Sequence, residues 1–167
     1  EKLLHKGIRN ILLISSGFAE TGAEGEAKQE QLKRFCKENG ILLMGPNCLG
    51  FMNFSDRVNV FAGGSVEGEL RQGPIGLVGQ SGASSEIIAS KLLRKSLGIS
   101  LYTTTGNEAV ITAEDCIDYL VHDTRTRVIT GFMEGFRTIG RMKEIALEAA
   151  LKQKPIILLK VGRSERG

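Results

Sequence analysis

Gly79-Gln80-Ser81-Gly82-Ala83-Ser84-Ser85 follows the apolar run Ile75 to Val78 and leads into a helical pattern. Glycines let backbone approach a ligand closely. The first N–H groups of a helix have no partner within it, and the positive end of the helix dipole lies behind them. This turn therefore reads as a seat for a phosphate or similar anion, with Ser81, Gly82 and Ala83 at the contact. Hydroxyls from Ser81, Ser84 or Ser85 can add bonds. No lysine lies inside the turn, so it is not a Walker A loop. The same residues also suit a tight turn with Ser81 as a helix cap, and local sequence does not separate the two. A nucleophile elbow, Gly-x-Ser-x-Gly, is the sharper rival, with Ala83 in its fifth position. It lacks a base: the only histidines are His5 and His122, and neither follows a strand of the second half.

In open parallel sheets ligands bind beyond the carboxyl ends of the strands, so the residues there carry the next expectations. Glu134 follows the run Val128 to Met133 and can face a crevice, where a carboxylate pairs with a cation, orients an imidazole or acts as a base. A solvated or capping glutamate is the alternative. Asn107 and Glu108 follow Thr103-Thr104-Thr105-Gly106, as loop residues or as part of a site. Gly45-Pro46-Asn47-Cys48-Leu49-Gly50 fixes an unusual backbone path. Cys48 within it is inert if buried and reactive if exposed near positive charge; the structural role is the expectation.

Apolar runs alternating with helical patterns must position these residues, which predicts an α/β protein. Ile11 to Ile14 and Ile41 to Met44 read as strands flanking a polar helix over Glu26 to Glu38, stopped by Asn39-Gly40. The opening residues read as the end of a helix, and with Glu1 in first place the chain reads as a piece of something longer. Ala62 to Pro74 reads as a connector. Beyond it come strands at 75–78, 99–102, 128–133 and 155–161. Helices at 83–95, 112–121 and 141–152 separate them, with Ile87, Ile88 and Leu92 on one face of the first and Thr112 capping the second. This β-α-β-α-β-α-β order predicts a doubly wound, flavodoxin-like parallel sheet.

With 22 Lys plus Arg against 19 Asp plus Glu, the net charge of +3 is spread along the chain. Two Tyr and no Trp offer few stacking platforms, so nucleic acid is not an expected partner. Cys36, Cys48 and Cys116 have no metal-ligand spacing, which predicts no metal site and suits a reducing cytoplasm. No apolar run approaches a membrane span, and no signal peptide is visible.

In order, the motifs Gly45-Pro46-Asn47-Cys48-Leu49-Gly50, Gly73 through Ala83, Thr105-Gly106-Asn107-Glu108, Met133-Glu134-Gly135 and Lys154 through Ser164 resemble the nucleoside-diphosphate-forming acyl-CoA synthetases. Acetate–CoA ligase (ADP-forming) is the nearest type and the succinyl-CoA synthetase alpha subunit a more distant one. The resemblance covers nearly the whole chain. It implies that residues 1–62 are the C-terminal part of a CoA-binding Rossmann domain, 63–73 a linker, and 74–167 most of a flavodoxin-like domain. It implies a reaction that interconverts an acid, CoA and a nucleoside triphosphate with acyl-CoA, nucleoside diphosphate and phosphate, through an acyl phosphate and a phosphohistidine. Ser81 and Gly82 match the turn that binds the phosphoryl group. Glu134 matches a glutamate that orients the catalytic histidine. Asn47 and Cys48 match a loop beside the thioester end of CoA, and Asn107 and Glu108 a loop near the acyl substrate.

The implied partners are CoA, a small carboxylic acid and an ATP-grasp domain or beta subunit that binds ATP or ADP with Mg; a homo-oligomer also fits. In the family the phosphorylated histidine follows the segment that here ends at Gly167, and neither His5 nor His122 matches it. The chain alone is therefore expected to be inactive. The other class of function is a CoA- or acyl-CoA-binding regulatory module of a larger protein, such as a protein acetyltransferase.

Overall fold

A computed structural model describes residues 2–64 and 66–162; Ser65 of the expected connector, and Arg163 and Ser164 of the last motif, lie outside them. A short helix α1 (Lys2–His5) opens the fold. Strand β1 (Asn10–Leu12), helix α2 (Ala23–Glu38) and strand β2 (Leu42–Met44) then form one parallel β-α-β unit, with Asn10 opposite Leu42 and Leu12 opposite Met44. Asn39 and Gly40 end α2 as expected, Gly40 with φ of 61°. Cys36, Ile41, Leu43 and Ala109 make the small core beneath it.

The second sheet has six strands: β3 (Gly50–Asn53), β4 (Val58–Phe61), β5 (Gln72–Gly79), β6 (Ile99–Thr104), β7 (Val128–Met133) and β8 (Ile156–Lys160). Their spatial order is β4-β3-β6-β5-β7-β8. The last four are parallel and run second-first-third-fourth in chain order, the flavodoxin arrangement expected from the alternation. Helix α3 (Gly82–Arg94) covers one face, and α4 (Ala113–His122) with α5 (Ile139–Leu151) covers the other.

Central strand β5 is buried on both sides. Leu77 packs with Ala89, Leu93, Ile99 and Tyr102 under α3, whereas the adjacent Val78 packs with Ile117, Leu120 and Ile145 under α4 and α5. Each such side chain contributes about 1.5–3 kcal/mol on burial. On α3 the inward face is Ser85, Ala89 and Leu93, flanked by Ile88 and Leu92; Ile87 points to solvent. Thr112 caps α4 in a reciprocal box: its hydroxyl accepts from the Asp115 N–H, and the Asp115 carboxylate accepts from the Thr112 N–H at 2.8 Å.

The hairpin β3–β4 lies in a stretch where the sequence reading placed no strands. Its alternation, Val58-Asn59-Val60-Phe61, is short and falls just ahead of the glycines of the connector. β3 pairs antiparallel with β6, setting Phe51 opposite Thr103. Met52 and Phe61 join the core under α3. Residues 50–61 thus belong to the second sheet, although they precede the connector, and β5 begins at Gln72, inside the segment read as linker.

Register levels the functional ends. Gly79 lies opposite Thr104 of β6 and Phe132 of β7. The loops after all three strands therefore emerge side by side, at the point where the chain order of the strands reverses.

Candidate functional site

At that point a cleft of about 470 Å³ opens between the two sheets. Asn47 and Cys48 line it from the loop after β2. Ser81, Gly82 and Ala83 line it from the start of α3, Gly106 and Asn107 from the loop after β6, and Glu134 from the loop after β7. Ser16 and Glu20, from the loop after β1, complete its rim. Glu108 does not line it, and neither do Ser84 and Ser85.

Ser81 caps α3. Its hydroxyl oxygen accepts from the Ser84 N–H at 3.4 Å, and its carbonyl accepts from the Ser85 N–H at 3.1 Å and the Ser85 hydroxyl at 2.6 Å. The cap leaves the N–H groups of Gly82 and Ala83 with no protein acceptor among the described residues. Gly79 permits this geometry: a Cβ there would lie 2.3 Å from the Ser85 Cβ. Glu134 is exposed, and its carboxylate accepts no hydrogen bond from the described residues. The cleft thus holds two unpaired donors at a positive helix end and an unpaired carboxylate across from them.

Gln80 connects these two poles. Its amide oxygen accepts the N–H groups of Glu134 at 2.6 Å and Gly135 at 3.1 Å. Its amide nitrogen donates to the Gly135 carbonyl at 2.8 Å and to Glu108 Oε1 at 3.0 Å. Glu108 points away from the cleft, its side chain fully buried. Oε1 also accepts from the Thr105 hydroxyl at 2.8 Å and the Ala113 N–H at 2.9 Å, and Oε2 from Arg137 Nε at 3.2 Å.

The Asn47 loop is held from the opposite wall. Asn47 Nδ2 donates to Asn107 Oδ1 at 3.1 Å, and the Asn107 N–H donates to the Pro46 carbonyl at 2.9 Å. Gly106 makes this approach possible. Its φ is 62°, and a Cβ would lie 2.3 Å from the Pro46 carbonyl oxygen and 2.4 Å from that of Asn47. The Asn107 side chain also donates to Glu20 Oε2 and to Gln29 Oε1. That bond to Glu20, with those from the Gly17 and Phe18 N–H groups, holds the Glu20 carboxyl down at about 2. Cys48 is buried, its thiol donates weakly to the Leu13 carbonyl at 3.6 Å, and burial pushes its pKa up. It is placed as an inert wall residue.

Gln80, Glu20 and Gln29 were not singled out from the sequence. The fixed place of Gln80, between a strand-ending glycine and a capping serine, is the signal that could have marked it. Glu20 and Gln29 sit in or beside a loop of small residues, and their partner lies far along the chain, so nothing local marks them. His5 and His122 do not line the cleft. His122 lies on α4 against Asp118 and Glu148, whose carboxylates are already engaged with Arg141 and Lys152 respectively.

The family described as "Succinyl-CoA ligase like flavodoxin domain" matches residues 72–167. Acetate–CoA ligase [ADP-forming] I subunit alpha of Pyrococcus furiosus is 35% identical over 167 residues, which is 100% of this chain and 35% of that protein. The subunit alpha of the second such ligase of the same organism is 32% identical, over 97% of this chain and 34% of that protein. Among solved structures, dinucleotide forming acetyl-coenzyme A synthetase 1 of Ca. Korarchaeum cryptofilum, in complex with phosphate and ADP, superposes with a TM-score of 0.87. It is 29% identical over 99% of this chain and 35% of that one. The chain spans about a third of the length of these two curated relatives. With the strand order, the site-bearing loops and the matched segment in agreement, the chain belongs to the family of succinyl-CoA ligase-like flavodoxin domains.

Proposed function

We propose that this chain is the part of an ADP-forming acid–CoA ligase that binds a phosphoryl group beside the reacting end of CoA. The observation that carries the reading is the convergence of four separate loops. Asn47, Cys48, Ser81, Gly82, Ala83, Asn107 and Glu134, singled out one loop at a time in the sequence, line a single cleft. Residues 1–49 serve as the end of the CoA-binding domain and 74–167 as the flavodoxin-like domain, whose sheet β3 and β4 extend, with Asn47 and Cys48 on the CoA side.

The roles follow from the chemistry of the groups. The N–H groups of Gly82 and Ala83 and the dipole of α3 stabilise a phosphoryl oxygen. Glu134 holds an imidazole in one tautomer and stabilises its charged form. Since neither histidine of this chain lines the cleft, that imidazole comes from another segment of the full-length protein. Asn107 borders the acyl group, and Glu108 acts behind it. CoA supplies the accepting thiol. Its fit rests on the Asn47–Cys48 wall, which presents one amide and a buried thiol that does not compete as a nucleophile. ATP or ADP and Mg belong to an ATP-grasp portion, fused or separate, because the described cleft offers Glu20 and Glu134 on different walls and no clustered carboxylates. The cytoplasm is the proposed location; no described helix is long and apolar enough to cross a membrane. The ligase names of the relatives favour this reading over a regulatory CoA-binding module.

Two measurements test it. Inorganic phosphate titrated into the chain should shift the amide resonances of residues 81–84 first; shifts elsewhere with those four unmoved would overturn the anion seat. Glu134→Gln in the full-length ligase should slow phosphoenzyme formation about a hundredfold. Unchanged phosphoenzyme formation would remove Glu134 from the mechanism.

A further inference from the structure

We infer that Gln80 is a positioning residue that sets the Glu134 carboxylate against the start of α3, and that buried Glu108 fixes which way the Gln80 amide faces. The inference rests on the role proposed for Glu134. Gln80 is the first residue after β5, and its own N–H donates to the Phe132 carbonyl at 3.0 Å, so its backbone is tied to the end of β7. Its side chain then spans the turn beyond that strand. One amide oxygen takes both N–H groups of Glu134 and Gly135, and one amide nitrogen gives to Gly135 and Glu108. Every bonding capacity of the amide that the turn can use is engaged.

The orientation is not free. An ionised carboxylate only accepts, so Glu108 demands the NH₂ of Gln80 and turns the carbonyl toward the two N–H groups. The Thr105 hydroxyl, the Ala113 N–H and Arg137 hold Glu108 itself in place. A chain of hydrogen bonds thus runs from the start of α4 through Glu108 and Gln80 to the peptide that carries Glu134. Ser81 and Gly82 come directly after Gln80 in sequence, so one residue fixes both poles of the cleft.

The test compares Gln80→Met, which keeps length and removes the amide, with Gln80→Glu, which keeps an acceptor but sets an oxygen against Glu108. In this chain, amide exchange at Glu134 and Gly135 should accelerate about tenfold or more in both variants, with Leu77 and Ile129 unchanged. In the full-length ligase, phosphoenzyme formation should fall about tenfold or more with the KM for CoA unmoved. Unchanged exchange at Glu134 and Gly135 would overturn the clamp whatever Glu134 does. Faster exchange with normal phosphoenzyme formation, while Glu134→Gln impairs it, would overturn the positioning role and leave the proposed function standing. Should Glu134→Gln itself have no effect, the function reading fails, and the exchange result alone decides whether Gln80 sets the turn.

Discussion

Asn107 Nδ2 donates to Glu20 Oε2 at 2.5 Å, joining residues 87 positions apart across the mouth of the cleft. The bond ties the loop after β1 to the loop after β6, and Asn107 carries the tie on to Asn47. The Glu20 carboxyl is lowered from 4.5 to about 2, first by this bond and then by the N–H groups of Gly17 and Phe18. A carboxyl lowered in the folded state adds stability above its ordinary value and loses it as pH falls through the lowered one. The tie should therefore persist through pH 4 and open only near pH 2. A carbon-detected titration of Glu20 that gave an ordinary midpoint near 4.5 would show the tie absent in solution.

Gly106→Ala should damage both fold and site. The residue has φ of 62°, and a methyl group there would run into two backbone carbonyl oxygens that cannot rotate away. Overpacking of this kind costs about 1–3 kcal/mol, and the left-handed conformation adds to it. Urea unfolding should show the loss as a lower midpoint with an unchanged slope. A loss below about 0.5 kcal/mol, the scatter of ordinary surface substitutions, would mean that the two loops do not meet as described.

The three cysteines should resist thiol reagents until the protein unfolds. Cys36, Cys48 and Cys116 are all buried, and burial raises each pKa, that of Cys116 to about 12. They therefore stay protonated well above neutral pH, where the thiolate is the reactive form. Labelling at pH 8 should be about a hundredfold slower in the native protein than in denaturant. Labelling of Cys48 at the rate of a free thiol would place it in solvent and revive a chemical role for it.

Much of this arrangement is legible in the sequence, because local rules carry it. The strand and helix spacing after residue 74 gives the sheet, and Thr112 and Gly40 mark helix ends by their own chemistry. The cleft was legible as a set of strand ends, since parallel sheets place their loops at one edge. The Gly45–Gly50 and Gly79–Ala83 turns also announced themselves by composition. What was not legible depends on distant partners. Glu20 meets Asn107 only after the two sheets dock, and Gln80 looks like filler in a glycine-rich turn until Glu134 is brought beside it. Glu108 reads as a loop residue or as part of a site, yet four donors bring its side chain inside and off the cleft. The β3–β4 hairpin was hidden by its brevity, and β3 finds its partners on β6 48 to 52 positions later in the chain.

That hairpin has a consequence for recombining such proteins. The glycines at 63 and 64 look like a natural crossover point for joining the upstream part of one relative to the downstream part of another. The strands immediately upstream, however, complete a sheet built downstream, and the Phe61 ring packs on that of Tyr102 with centroids 5.2 Å apart. A chimera joined there inherits a foreign edge on its main sheet and a mismatched aromatic pair beneath α3. One joined before Gly50 keeps the sheet of a single parent.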